Sequence, residues 1–428
     1  MQAQHRKDDA SRVTTRDEAA SLLERLFAPD LIGGILLILA TAVALVWANT
    51  GVSDSYDALW STRFTIGFEG FELSKPLILW VNDLLMAIFF LLVGLEIKAE
   101  LLTGELNSPR KAAVPAIAAV GGMLAPAAIF FMVAHGDSSV RGWGIPVATD
   151  IAFALGCLRM LGTRVPASLL IFLTALAIID DLGAILIITL FYAHDTHVLP
   201  LAIAALLTIV LVLVNRSGAR RISIYVVLGV ALWVATLKSG IHATIAGVIL
   251  GVCIPADVPA AGDKPARIES PLRVLEHALA PWVNLAIIPI FALANAGVRL
   301  GGLSLRDLNS PAALGIILGL VVGKQLGIFS ATYAGVRLGL GSLPVEVGWR
   351  HVYGASVLGG IGFTMALFIA ALAYGEGNSL AEQAKLAILI ASALCAAGGI
   401  LILLRAGSTS GLSAEQTAGE AQVQDRAE

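Results

Sequence analysis

Charged side chains make up only 14% of the 428 residues, aromatic residues 7%, and cysteine occurs three times. Soluble domains carry about a quarter of their residues as Asp, Glu, Lys or Arg, so this shortage excludes an ordinary water-soluble fold. The net charge is −3 and the basic residues are scattered between apolar runs, which excludes a nucleic-acid-binding surface. Cys157, Cys253 and Cys395 lie in or beside apolar segments without metal-ligand spacing. That pattern excludes a disulfide framework and a thiolate metal centre, and the three read as small core residues. Also missing is the apolar h-region and small-residue cleavage site of a signal peptide. Residues 1–28 are polar and of mixed charge, so the first apolar run is expected to direct insertion itself.

What fills the chain instead is hydrophobic sequence, 57% of all residues, with a mean hydropathy of +0.84. Apolar runs between charged or Gly/Pro breaks predict about twelve spans. They lie near residues 30–48, 77–97, 112–134, 145–161, 166–192, 199–215, 222–236, 241–253, 271–296, 311–335, 351–374 and 383–404. The expected fold class is therefore an all-α polytopic membrane protein. Its connections are short enough for one bundle, residues 29–406, between a polar N-terminal tail (1–28) and a small-residue, aromatic-free, disordered C-terminal tail (407–428). Most Lys and Arg fall in the two tails and every second loop, which by the positive-inside rule predicts that both termini are cytoplasmic. One outer loop, RFTIGFEGFELSKP at 63–76, alternates apolar and polar residues as a β-hairpin does. An isolated ribbon is marginal, so it is expected either to pack on its own helices or to pair with a second copy in a homodimer, the dimer being the preferred expectation.

Against this apolar background the charges inside the spans stand out. AIIDDLGAI (177–185) places Asp180 and Asp181 side by side in the middle of a run from Pro166 to Tyr192. One ionised Asp at the centre of a span costs roughly 2.5 to 3.5 kcal/mol even on the lenient insertion scale, so intramembrane carboxylates face a partner or cavity. Interfacial anchoring explains Asp83, Glu96 or Glu276 near span ends, but not a central adjacent pair. A second carboxylate lies in GIPVATDIAFALG (144–156), where Pro146 removes a backbone donor close to Thr149 and Asp150. In GASVLGGIGFTMALFIA (354–370), Gly359, Gly360 and Gly362 precede Thr364; there, helix breakage and close packing are equally good readings.

Two such interruptions in the two halves of a chain point to a transporter site near the midplane. Opposed half-helices leave positive and negative ends needing compensation. Asp150 suits the positive pair. Lys324, in LGLVVGKQLGIF, suits the negative pair or neutralises an aspartate, since it is about a dozen residues from either end of its span. Carboxylates, a threonine hydroxyl and backbone carbonyls form an all-oxygen set. It suits a hard cation such as sodium or lithium, or protons, and argues against zinc or copper.

FFLLVGLEIKAEL, VATDIAFALG, ALAIIDDLGAI, LKSGIHATIAG, LEHALAPW, FALANAGV, VVGKQLGI and GGIGFTMALFIA occur in the order expected of the NhaA family of sodium/proton antiporters, a resemblance covering about residues 30–405. That family is itself among the known examples of inverted repeats with broken helices. The resemblance implies crossed discontinuous helices at spans four and eleven. It also implies electrogenic exchange of cytoplasmic sodium or lithium for external protons, activated at alkaline pH, in the inner membrane of a bacterium, serving pH and sodium homeostasis. Asp181 resembles the principal cation and proton carboxylate, and Asp150 and Thr149 resemble its neighbours. Asp180 resembles the carboxylate paired with Lys324. Glu96, Glu100 and Glu276 resemble the family's cytoplasmic pH-sensing group, and His242 a pH-response histidine on the other side. No cofactor is implied beyond the transported ions, and no enzyme activity.

Two other classes use related residues. An intramembrane aspartyl protease also needs two membrane carboxylates, but on facing helices; Asp180 and Asp181 share one helix and the Gly-x-Gly-Asp signature is absent, while Asp150 and Asp181 are the one pair that could still face each other. A passive cation channel has no need of Lys324 beside a carboxylate.

Overall fold

A computed structural model describes residues 29–407 apart from 69–70, 194–195, 257–269, 303–306 and 376. Both tails, except for Gly407, and the tip of the 63–76 loop lie outside the described residues. The described chain is mostly helical. The helices are α1 (Pro29–Asn49), α2 (Ser53–Ser61), α3 (Leu77–Thr103), α4 (Pro109–Val133), α5 (Ile151–Met160), α6 (Ala167–Phe191) and α7 (Val198–Arg216). They continue with α8 (Ile222–Ser239), α9 (Thr244–Cys253), α10 (Pro271–Asn295), α11 (Pro311–Arg337), α12 (Trp349–Leu358), α13 (Phe363–Tyr374) and α14 (Ser379–Ala406).

Among the described residues nine helices are long and apolar enough to cross a membrane, and the bent pair α12–α13 brings the number to ten. With α5 and α9 each only ten residues long, the predicted spans near 145–161 and 241–253 are helical over only part of their length. Between α4 and α5 the chain forms a 3-10 helix, Ser138–Val147, and then runs without helix through Ala148, Thr149 and Asp150. Helix starts reflect local chemistry. Ser270 and Ser310 accept from Arg273 N and Ala313 N, each ahead of a proline at the first helical position.

Helix approach is set by glycine. A Cβ on Gly121 would come within 2.4 Å of Gly327 O, and one on Gly327 within 2.1 Å of Gly121 O, so α4 and α11 meet backbone to backbone. Gly94, Gly247 and Gly251 do the same for α3 and α9. Small residues at helix contacts are the usual device where lipid offers no hydrophobic drive. The core between the helices contains Phe90, Phe130, Phe172, Phe291 and Phe368 and, unusually, Lys324, all buried. All three cysteines are free and buried.

The loop at 63–76 is a hairpin of β1 (Arg63–Phe68) and β2 (Phe71–Pro76), paired antiparallel from Arg63↔Pro76 to Phe68↔Phe71. It packs on its own chain: Trp80 of α3 stacks edge-on against Phe64 at 5.8 Å and its Nε1 donates to Phe64 O.

Candidate functional site

Asp180 and Asp181 sit in the middle of α6, a 25-residue helix, and both are fully buried. Successive helical positions point about 100° apart, and the two carboxylates meet different surroundings. Asp180 Oδ2 accepts from Lys324 Nζ at 2.5 Å, an ion pair sealed from solvent on both sides. Lys324 reaches it from α11, directly after a π-helical turn at Gly319–Gly323. Such turns insert a residue and re-aim the side chains beyond it. Neither oxygen of Asp181 has a hydrogen-bond partner within the described protein.

Asp181 instead lines a cavity of about 290 Å³, together with Asp150, Thr364, Glu96, Glu100 and Glu276. The cavity runs from the carboxylates toward the end of the bundle opposite the hairpin, where Arg273 Nη1 donates to Glu276 Oε2 at 2.9 Å.

The chain interruptions meet beside it. Asp150 caps α5 by accepting from Phe153 N at 3.0 Å, and its other oxygen accepts from Thr364 N and Thr364 Oγ1 at the start of α13. One carboxylate therefore sits on two positive helix ends, where its charge is favoured. Asp150 N donates to Ile361 O and Thr149 Oγ1 to Gly359 O, both at 2.7 Å. Helices α12 and α13 bend by 42° across Gly359–Gly362. Both readings of these glycines apply, since a Cβ on Gly360 would also lie 2.5 Å from Leu320 O. Pro146 lies inside the 3-10 segment rather than at the break, packed where a side chain on Gly319 would stand.

The structure thus brings Asp181, Asp150 and Thr364 onto one cavity, sets Asp180 on Lys324 beside them, and places Glu96, Glu100 and Glu276 along the approach, while Thr149 lies at the break with its hydroxyl donated to Gly359 O. His242 is elsewhere, at the hairpin end, its Nε2 2.9 Å from Tyr192 O. Sequence reasoning passed over Arg273, although Arg and Glu three apart on a helix share a face. It also passed over Arg159, Thr174 and Asn284, which line the cavity without any pattern to mark them. The arrangement offers carboxylate and hydroxyl oxygens to a small hard cation, and a carboxylate with unpartnered oxygens to a proton.

Interrupted helices meeting at buried carboxylates inside a membrane bundle are the arrangement used by ion-coupled transporters. The family model described as Na+/H+ antiporter 1 matches residues 24–403. The Na(+)/H(+) antiporter NhaA of Rhodospirillum rubrum is 50% identical over 379 residues, covering 87% of this chain and 94% of the relative. That of Aeromonas hydrophila is 48% identical over 386 residues, covering 90% and 96%. The chain belongs to the NhaA family of Na+/H+ antiporters, integral membrane proteins.

Proposed function

We propose that this protein exchanges sodium or lithium for protons across a bacterial inner membrane, extruding the cation from the cytoplasm. The observation that carries the reading is the contrast within α6: Asp180 is neutralised by Lys324, while Asp181 faces a cavity with both oxygens open. Asp181 alternates between proton and cation, with Asp150 and Thr149 supplying further oxygens. Because one carboxylate serves both cargoes, proton and cation compete, and that competition couples their opposite movements.

Membership of the family supports electrogenic exchange, activation at alkaline pH and a role in pH and sodium homeostasis. The distribution of Lys and Arg supports cytoplasmic termini, so that the Glu96–Glu276 cavity opens to the cytoplasm and the hairpin lies outside. The nine long helices, the bent pair and the two short apolar helices support twelve crossings in two inverted repeats, with the breaks at 148–150 and 359–362 crossing one another. Glu96, Glu100 and Glu276 at the cavity mouth and His242 at the far side set the pH window, and the hairpin contributes to a homodimer.

The test is purified protein in vesicles with an internal pH dye. A sodium or lithium pulse is expected to drive proton movement that a membrane potential accelerates or retards, and the rate is expected to rise toward alkaline pH. Substitution of His242 or of the three glutamates should move the pH profile and leave maximal exchange measurable. Sodium flux without obligatory proton movement would identify a channel and overturn the proposal.

A further inference from the structure

The ten-residue 3-10 segment Ser138–Val147 is long for its kind. Runs beyond three or four residues are uncommon because the internal hydrogen bonds are poorly aligned. It nevertheless delivers Thr149 and Asp150 to the ion site, so something outside the segment has to fix it. Two tyrosines meet it. Tyr192, at the end of α6, donates its hydroxyl proton to Arg141 O at 2.7 Å and accepts from Gly144 N at 3.1 Å. Tyr374, the last residue of α13, donates to Ser139 O at 2.8 Å. The backbone is shaped to receive them. A Cβ on Gly142 would lie 2.0 Å from Tyr374 Oη, and one on Gly144 2.8 Å from Tyr192 Oη.

The segment and α13 form a closed frame, bonded at both ends, and α6 joins it through Tyr192 at one end. Asp181 to Tyr192 along α6 is roughly 16 Å and Thr364 to Tyr374 along α13 roughly 15 Å, at 1.5 Å per residue. Arg141 to Val147 is roughly 12 Å at 2.0 Å per residue of 3-10 helix, and the non-helical step to Thr149 follows. At one end the frame is closed by Asp150 on Thr364 and Thr149 on Gly359, and at the other by the two phenols. From these bonds we infer that Tyr192 and Tyr374 are positioning residues for ion binding, holding the segment in the register that sets Thr149 and Asp150 against Asp181. Trp143, stacked on Phe131 and edge-on to Phe191, holds the same stretch laterally but makes no bond that fixes its register.

This inference rests on the reading of Thr149 and Asp150 as cation ligands. Its test uses full-length Tyr192→Phe, Tyr374→Phe and the double variant, each keeping the ring and losing the hydroxyl. Tyr225→Phe is the control, since it removes a hydroxyl-to-carbonyl bond of 2.9 Å to Ala219, far from the segment. Two readouts are taken: exchange against sodium concentration, and the sodium concentration giving half-maximal thermal stabilisation. In the double variant the apparent KM and the stabilisation midpoint are each expected to rise roughly tenfold, the size of effect expected when hydrogen bonds that position a site are lost. Maximal rate should stay within about twofold and Tyr225→Phe should be unchanged. Should the double variant not elute as a folded species, the single variants are read in the same way. A folded Tyr-to-Phe variant that loses thermal stability while both sodium values stay as in the wild type assigns the phenols a purely structural role and overturns the inference. A wild-type protein that neither exchanges nor is stabilised by sodium would instead defeat the reading of the site on which the inference rests.

Discussion

Two neighbouring aspartates have different surroundings, and the proposed function gives them different tasks accordingly. Asp180 and Lys324 are both fully buried, and removing one partner of such a pair strands the other as an unpaired charge, at about 3 to 5 kcal/mol. Asp180→Asn is therefore expected to lower thermal stability sharply. The double variant Asp180→Asn with Lys324→Met should regain most of that loss. Asp181→Asn leaves no charge unpaired, so it should abolish exchange in a protein at least as stable as the parent. Thermal unfolding and vesicle exchange on the three variants check the division, and a double variant no more stable than Asp180→Asn alone would contradict it. These residues were legible in the sequence because a charge in an apolar run has no bland explanation. Tyr192 and Tyr374 were not, because tyrosines at span ends are what any membrane interface contains, and only coordinates show their hydroxyls on the 3-10 segment.

At the scale of elements, the apolar runs located the long helices to within four residues, because each needs about 20 residues to cross the hydrocarbon, except that α3 continues six residues past its expected end. They overextended α5 and α9, since residues 145–150 and 241–243 take other backbone shapes. The π-helical turns at Val81–Leu85, Val283–Ile287 and Gly319–Gly323 have no signature of their own in composition. At Gly359, Gly360 and Gly362 close packing was one of two equal readings in the sequence, and which helix a glycine would meet was not legible. The α4–α11 seam now gives that partner a consequence, since it seats the helix that carries Lys324. Gly327→Ala is expected to force the backbones apart, cost about 1 to 3 kcal/mol or more, and weaken exchange by moving Lys324 off Asp180. Gly156→Ala, which meets nothing within 4 Å, should be close to neutral. Paired unfolding and transport measurements on the two variants separate a seam effect from a general intolerance of alanine.

For the molecule as a whole, the hairpin had two readings in the sequence, and its docking on Trp80 establishes the first without removing the second. Phe64 and Ile66 are each still 51% exposed, which leaves apolar surface on the ribbon for a second copy. Replacing residues 64–74 by a short flexible link spares Lys75 and its 2.6 Å pair with Asp83. This variant is expected to exchange ions as a monomer at detergent dilutions where the parent remains dimeric. Light scattering on the two proteins decides it, and equal dimer stability would remove the hairpin from the interface.

The cavity that reaches Asp181 also shapes the electric field inside the protein. Water and mobile ions entering from the Glu96–Glu276 end would carry the potential of that compartment inward, so that most of the voltage would fall across the packed protein between Asp181 and the hairpin end. A charge crossing the full drop changes energy by about 2.3 kcal/mol per 100 mV. Under the proposed function, a cation arriving at Asp181 through the cavity would cross little of it, whereas the step carrying charge from Asp181 to the hairpin side would cross nearly all. Voltage should accordingly leave the apparent sodium affinity on the cavity side almost untouched and act on the turnover rate, a separation that current recordings on vesicles at fixed potential can measure directly.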